Sequence, residues 1–228
     1  MNECINGDLK VRVAIDTWAR AWEPSPSASV WRKRLHRVGP PESGQVTSVV
    51  RYDPESSFAA HDHPDGEEIL VLEGVFSDEH GDWPAGTYLL NPEGFRHAPF
   101  SREGCLLFVK LRQYPGPHRA HVVHRVDAMP WLPTRMPGRS ARILYHRLPD
   151  LDAMRIERWA PGASLARQSH PQGAELFVLE GAFVDEYGHY PKHAWLRLPP
   201  GASHEIHSPR GATVYIKTGG PLRTAGAV

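Results

Sequence analysis

The sequence predicts an all-β protein that is built from two antiparallel barrels or jelly rolls in tandem. The first observation is an internal repeat: residues 61–111 align with residues 168–218 at a constant offset of 107, and about twenty of the roughly fifty aligned pairs are identical. The second is the number of short apolar or alternating runs bounded by Gly, Pro or Asp, such as TSVVRY and GTYLLN. Many short strands per repeat favour a barrel.

Each repeat spans about 100 residues, which is the size of a complete domain. The boundary is predicted in the segment QYPGPHRAH at residues 113–121, because two prolines and a glycine suit a linker. We therefore expect a first barrel over residues 1–115 and a second over 116–228. The segment DTWARAW, residues 16–22, is a weak helix candidate.

Composition narrows the classes of function. The 228 residues include 26 basic and 26 acidic side chains, so no basic face is expected for nucleic acid or an acidic membrane. No apolar run approaches the length of about 20 residues that a membrane helix needs, and no signal-type segment is evident. Two cysteines make no disulfide framework. We expect a cytoplasmic protein, and the 14 histidines suggest metal chemistry.

Four side chains in the first repeat form a pattern typical of a metal site. His61 and His63 are two residues apart, so on a strand they share one face. Glu67 follows on the next run, and His97 lies about thirty residues further along. Three imidazoles and a carboxylate inside a barrel would bind one divalent metal ion per chain. Zinc is the preferred metal, and iron, manganese and nickel also suit these ligands.

These residues belong to two longer motifs. The first reads H-x-H-x3-E-x6-G and the second G-x5-P-x-G-x2-H, and their fixed positions are His61, His63, Glu67, Gly74, Gly86, Pro92, Gly94 and His97. They resemble the two motifs of the cupin superfamily, although Ser101 stands where the second motif usually closes with Asn. Within that superfamily the chain resembles the cupin domain of ChrR-type anti-sigma factors. The resemblance implies double-stranded β-helix barrels with the metal ligands pointing inward.

Two functions are consistent with this resemblance. ChrR-type cupins belong to a zinc-binding regulatory system, which implies a binding or sensing role for an unknown ligand, and we favour this interpretation slightly. The chain is also similar to acetylacetone dioxygenase-like cupins, which implies a non-haem metal-dependent dioxygenase acting on a small diketone-like molecule. The sequence leaves open whether the protein is an enzyme. A small-molecule ligand in the first barrel and a homodimer are the expected partners.

Two assignments need the comparison of the repeats. Glu67 and Glu68 are neighbouring carboxylates, and Glu67 fits the motif spacing. In the second repeat Ala174 replaces Glu67, whereas Glu68 persists as Glu175. We therefore prefer Glu67 as the ligand.

The second repeat is short of metal ligands. Gln168 replaces His61, and the histidines that remain are His170 and His204. Gln168 and Glu175 could complete a poorer site, and His207 is nearby. We expect no tightly bound metal there, because two imidazoles alone hold a metal poorly.

Overall fold

The structure is a computed structural model that describes residues 4–116 and 118–219. Within these ranges the strands are β1 (Val13–Asp16), β2 (Glu23–Pro24), β3 (Val30–Val38), β4 (Gln45–Tyr52), β5 (Ser56–Ser57), β6 (His61–His63), β7 (Glu67–Asp78), β8 (Gly81–Pro84), β9 (Thr87–Asn91), β10 (Phe95–His97), β11 (Phe100–Ser101), β12 (Cys105–Leu111), β13 (Val122–Arg125), β14 (Leu132–Pro133), β15 (Arg139–His146), β16 (Ala153–Trp159), β17 (Ala163–His170), β18 (Ala174–Asp185), β19 (Gly188–Pro191), β20 (Ala194–Leu198), β21 (Ala202–Ser208) and β22 (Ala212–Thr218). One 3-10 turn covers Val126–Ala128.

The predicted all-β class is confirmed. The helix candidate at residues 16–22 was wrong: that segment holds the end of β1 and turns, and it contains no helix. The physical reason is in part tertiary pairing, because Asp16 ends a strand that forms an antiparallel ladder with β20, and the residues that follow it turn away from that strand. Among the described residues no helix is long and apolar enough to cross a membrane.

The chain forms two compact units, and neither is continuous in sequence. The first unit contains residues 4–7 and 20–128, and the second contains residues 8–19 and 129–219. Strand β1 therefore belongs to the second unit, whereas β13, which follows the first repeat, pairs with β9 of the first. Strand β1 precedes the first repeat in the sequence but belongs to the second unit, and β13 precedes the second repeat but belongs to the first unit.

Both units have the same sheet topology, as the repeat predicts. In the first unit the main sheet has the order β13-β9-β7-β12-β4-β3-β2, and in the second it has the order β1-β20-β18-β22-β16-β15-β14. A smaller set of strands faces each main sheet: β6 pairs with β10, and β17 pairs with β21. Together these strands make two barrels of the predicted kind.

The interior of the first unit follows the two-residue period of its strands. On β4 the residues Val46, Ser48, Val50 and Tyr52 line the interior, and Val109 on β12 lies opposite Ser48. Val50, Tyr52 and Val109 belong to one buried core. Because alternate residues of a strand share one face, a polar residue such as Ser48 can face the interior while the backbone pairing of the sheet is kept.

Strand β7 crosses from the main sheet to the facing strands. Its first half pairs with β9 and β12, and its last four residues pair with β8. The change occurs at Gly74, which has φ of +71°, and a Cβ there would lie 2.1 Å from the carbonyl oxygen of Gly104. Gly181 in the second unit has the same φ and would make the same 2.1 Å contact with Gly211. The glycine is required by this close approach.

Candidate metal centre

Three histidines of the first unit meet inside the barrel. Strands β6 and β10 are paired so that His97 lies directly opposite His61, and His63 lies two residues along β6. The three ring centroids are 4.8 to 5.3 Å apart. Their candidate ligand nitrogens all lie within 4.8 Å of one another, so His61, His63 and His97 form a group that could hold a metal ion.

The structure also places Glu67 beside these imidazoles. Its Oε2 atom lies 3.4 Å from His63 Nε2 and 3.6 Å from His97 Nε2. Asn91, the cross-strand partner of Glu67, donates a hydrogen bond of 2.9 Å from Nδ2 to the same oxygen. The carboxylate is buried, and Asn91 fixes it in an orientation that faces the histidines.

Glu68 takes the opposite face of the strand, as the two-residue period requires. Its carboxylate accepts a hydrogen bond from the Tyr114 hydroxyl, and it lies opposite Lys110 in the ladder. In the second unit Glu175 lies opposite Lys217 in the same way and accepts a hydrogen bond from Trp195. The retained glutamate thus has structural partners in both units.

Hydrogen bonds to Nδ1 orient two of the imidazoles. The Nδ1 atom of His97 lies 3.1 Å from Oδ2 of Asp78, and the Nδ1 atom of His61 lies 2.8 Å from the carbonyl oxygen of Ala59. Both oxygens are acceptors, so each Nδ1 carries a proton, which leaves Nε2 as the nitrogen that can bind a metal. A metal ligand needs this tautomer, and such hydrogen-bond partners also raise the basicity of the ligand nitrogen.

Burial and charge move the pKa values of these groups in different directions. Burial lowers the pKa of His63, and the charge of Glu67 offsets this only in part. Burial also acts to lower the pKa of His97, but the hydrogen bond to Asp78 and the charge of Glu67 outweigh it and raise the pKa. For Asp78, burial favours the neutral acid, but hydrogen bonds from His97 and others outweigh it and lower the pKa. Asp78 is therefore a carboxylate at neutral pH.

The geometry fits one metal ion. Ligand atoms bound at about 2.0–2.1 Å lie about 3.0 Å apart at a right angle and about 3.4 Å apart in a tetrahedron. The Nε2 atoms of His63 and His97 are 2.8 Å apart, and the distances from Glu67 Oε2 to them are 3.4 and 3.6 Å. Three imidazoles with a carboxylate suit Zn, Fe, Mn or Ni.

A cavity of about 460 Å³ opens onto this group. His61, His63, Glu67 and His97 all line it, and most of the remaining wall is apolar. The apolar wall is formed by side chains that include Val30, Val50, Phe58, Ile69, Phe76, Leu107 and Val109. A volume of this size accommodates a small organic molecule in contact with the candidate metal ligands.

The second unit keeps only part of this arrangement. His170 and His204 have ring centroids 5.1 Å apart, and His204 Nδ1 lies 3.0 Å from Asp185, as His97 does from Asp78. Gln168 instead accepts a hydrogen bond from Arg139 and donates one to the carbonyl oxygen of Ala166. Glu175 lies on the other face of its strand, and His207 is exposed. The four candidate ligands therefore do not converge.

An ion cluster occupies the interior of the second unit. By ladder register, Arg139, Arg155 and Glu157 stand where the first unit has Val30, Ser48 and Val50. Both arginines bind the buried Glu157 carboxylate, which also accepts a hydrogen bond of 2.9 Å from Trp159 Nε1. Burial opposes ionisation of Glu157, but the hydrogen bond from Arg139 and the charge of Arg155 outweigh it and lower its pKa.

This cluster makes the second interior unfavourable for a cation. Burial, His204 and Arg155 lower the pKa of His170 to about 4, so the imidazole is neutral at pH 7. Two guanidinium groups share one carboxylate, which leaves a net positive charge close to the histidine pair. A divalent ion would meet repulsion where the first unit offers it Glu67.

Sequence reasoning missed Asp78 and Asn91, and the repeat carried a signal for each. Asp78 persists as Asp185 at the offset of 107, next to a persisting histidine. Asn91 changes to Leu198 together with the change of Glu67 to Ala174, and these residues are cross-strand partners in both units. Because both residues are replaced together in the second repeat, we infer that the role of Asn91 is to orient the Glu67 carboxylate by its hydrogen bond.

Comparison with known proteins agrees with this geometry. The family model described as the ChrR Cupin-like domain matches the chain twice, at residues 10–115 and 119–222. The chain belongs to the ChrR cupin-like family. The predicted superfamily and tandem arrangement of this cupin are thereby confirmed. No curated protein matches the sequence.

Solved structures share the fold of this cupin at low sequence identity. A candidate dioxygenase from Nostoc punctiforme superposes with a TM-score of 0.76 at 14% identity, over 96% of this chain and 86% of that one. The pirin YhhW from Escherichia coli, solved with nickel(II), superposes with a TM-score of 0.66 at 14% identity, over 93% of this chain and 100% of that one. Oxalate decarboxylase from Bacillus subtilis superposes with a TM-score of 0.64 at 12% identity, over 91% of this chain and 76% of that one.

Replacing Asp78 with Asn should weaken metal binding by about 10- to 100-fold, because the amide no longer holds the His97 tautomer by charge. Asp185→Asn is the matched control, since that residue makes the same contact to His204 in the other unit. Titration with Zn²⁺ against a chromophoric chelator measures both. Equal loss of affinity in the two variants would contradict the assignment of Asp78.

We expect about one tightly bound metal ion per chain. The double change Gln168→His with Ala174→Glu should not add a second, because Arg139 and Arg155 still occupy the interior. Adding Arg139→Val, Arg155→Ser and Glu157→Val, which copies the first unit, should bring the content to about two. Elemental analysis after dialysis against chelator provides the measurement, and a second equivalent in the double variant would show that the ion cluster does not exclude metal.

Proposed function

We propose that the first unit binds one divalent metal ion through His61, His63, His97 and Glu67, and that this metal binds a small organic molecule in the cavity. The observation that carries the proposal is the cavity of about 460 Å³ that all four side chains line. A purely structural zinc site is closed by its four protein ligands and needs no such space. A metal with six positions and four protein ligands would keep two positions for other molecules.

The reaction class that this arrangement supports best is a metal-dependent dioxygenation of a small molecule. A bound iron or similar ion would supply the redox chemistry and the positions for substrate and oxygen. The protein's own contribution is to hold the imidazoles through Asp78 and Ala59 and the carboxylate through Asn91. The apolar walls exclude water from the bound molecule. Similarity of fold to the candidate dioxygenase adds support.

A sensing role for a metal-bound ligand is the second candidate, and membership of the ChrR cupin-like family favours it. The identity of the metal separates the two functions. Zinc has no redox chemistry and would support binding or sensing, whereas iron would support oxygenation. Cys4 and Cys105 are both free thiols, which supports our proposal that the protein resides in the reducing cytoplasm.

The carboxylate assignment is tested by two neighbouring substitutions. Glu67→Gln should lower metal affinity by about tenfold or more, because it removes the only negative charge among the ligands. Glu68→Gln should leave affinity unchanged, since Glu68 lies on the opposite face with Tyr114. Calorimetric titration of both full-length variants with Zn²⁺ gives the comparison, and a loss in Glu68→Gln alone would move the ligand by one residue.

The proposed function is tested on protein purified without added metal. We expect elemental analysis to find about one divalent ion per chain, and the iron-loaded protein to consume oxygen with a small β-diketone such as acetylacetone. His63→Ala should abolish both the bound metal and the oxygen uptake. Metal-free wild-type protein that does not take up added Fe²⁺ or Zn²⁺ would refute the metal site, and a zinc protein without oxygen uptake would favour sensing.

A further inference from the structure

One of the arginine side chains that line the cavity of the first unit makes no ion pair with the residues that the structure describes. Arg32 also lines it, but Glu42 accepts two hydrogen bonds of 2.9 Å from that guanidinium. Arg112 is different: it is half-buried and lines the cavity, and its guanidinium makes no hydrogen bond or ion pair with any residue that the structure describes. Its guanidinium is therefore available to a molecule in the cavity, and guanidinium groups in binding sites commonly pair with a carboxylate or phosphate.

The backbone of Arg112 adopts an unfavourable conformation, which two hydrogen bonds hold in place. Its φ is +59°, in the left-handed region, which is unfavourable for a residue other than glycine. Its N–H donates to the carbonyl oxygen of Gly66 at 3.0 Å, and its carbonyl oxygen accepts from Gln45 Nε2 at 3.0 Å. Arg112 directly follows Leu111, the ladder partner of Glu67, so its position is set beside the candidate metal centre.

A second polar group in the same cavity also lacks a partner. Ser48 is 2% exposed, it lines the cavity, and its Oγ has no hydrogen-bond partner among the residues that the structure describes. Burying a hydroxyl without a hydrogen-bond partner is unfavourable, so a molecule in the cavity that hydrogen-bonds to it would be favoured. Ser48 lies two residues along β4 from Val46, which is the ladder partner of Leu111. The two unsatisfied groups therefore lie near each other in the sheet.

We propose that the small molecule bound in this cavity is an organic carboxylate, which Arg112 binds through its carboxylate group while Ser48 Oγ binds a second oxygen-bearing group. A planar guanidinium forms two parallel hydrogen bonds with a carboxylate, and this fixes both charge and orientation. The apolar remainder of the wall suits the carbon skeleton. This proposal rests on the proposed function, because both concern the same cavity. It adds the chemical class of the molecule that would bind beside the metal.

The second repeat supports the assignment of these groups to a ligand. At the offset of 107, Gly219 stands in place of Arg112 and Arg155 in place of Ser48. Both unsatisfied groups are thus absent from the unit whose interior holds the ion cluster. Both groups occur in the unit that holds the full set of candidate metal ligands.

The test compares carboxylates with neutral analogues of the same size on the full-length protein. Formate, pyruvate and benzoate, each paired with its amide, are titrated by calorimetry into metal-loaded and chelator-treated protein. At least one carboxylate should bind saturably, and its amide should bind about tenfold more weakly or worse. Arg112→Gln should lower carboxylate affinity by about tenfold or more and leave amide affinity unchanged, whereas Arg112→Lys should restore part of the affinity.

The control is Arg102→Gln, which removes an exposed arginine that does not line the cavity and should change nothing. Metal content must stay at the wild-type level in Arg112→Gln, since Arg112 is no ligand. No saturable binding of any of the three carboxylates, or equal affinity in wild type and Arg112→Gln, would overturn the proposal. Binding by chelator-treated protein that depends on Arg112 would uphold it even if the metal site failed its own test.

Discussion

The close approach of Gly74 to the Gly104 carbonyl is the constraint on which the site depends. Glu67 and Asp78 are the two ends of strand β7, and a straight strand would separate them by about 36 Å at 3.3 Å per residue. Both nevertheless contact one imidazole: Glu67 lies 3.6 Å from His97 Nε2, and Asp78 lies 3.1 Å from Nδ1. Only a strongly bent strand allows this, and the bend requires a glycine because a Cβ would lie 2.1 Å from the opposing oxygen.

The sequence predicted the scaffold and the histidines well because motif spacing is a property of the strand pairing. His61, His63 and His97 meet because β6 and β10 pair in one register, and the fixed spacing reflects that register. The supporting residues were not predicted. Asp78 lies 19 residues from His97 in the sequence, and only the fold brings them together. The placement of β1 could not be predicted either, because four residues with mixed polarity carry no signal for a partner 180 residues away.

The two units show how one fold can use its interior in two ways. At equivalent ladder positions the first unit has Val30, Ser48 and Val50 and encloses a cavity, whereas the second has Arg139, Arg155 and Glu157 and forms buried ion pairs. A buried ion pair is costly to desolvate and adds little stability compared with apolar packing, but removing one partner leaves an uncompensated charge. Replacing Glu157 alone would leave two guanidinium groups without their carboxylate, whereas replacing one arginine first leaves a balanced ion pair, so the order of substitutions matters.

The placement of β1 has a consequence for the order of events on the ribosome. Residues 13–16 are synthesised before their partner strand, which begins at Ala194, about 180 residues later. At about 5–20 residues per second, that strand stays without its ladder for roughly 10–35 s, while the first unit can close as soon as β13 has emerged. During this interval its backbone groups are open to any other strand edge. Asp16 within β1 and the nearby Lys10 and Arg12 are charged side chains of the kind that oppose edge-to-edge pairing, which favours an unpaired β1 until β20 is synthesised.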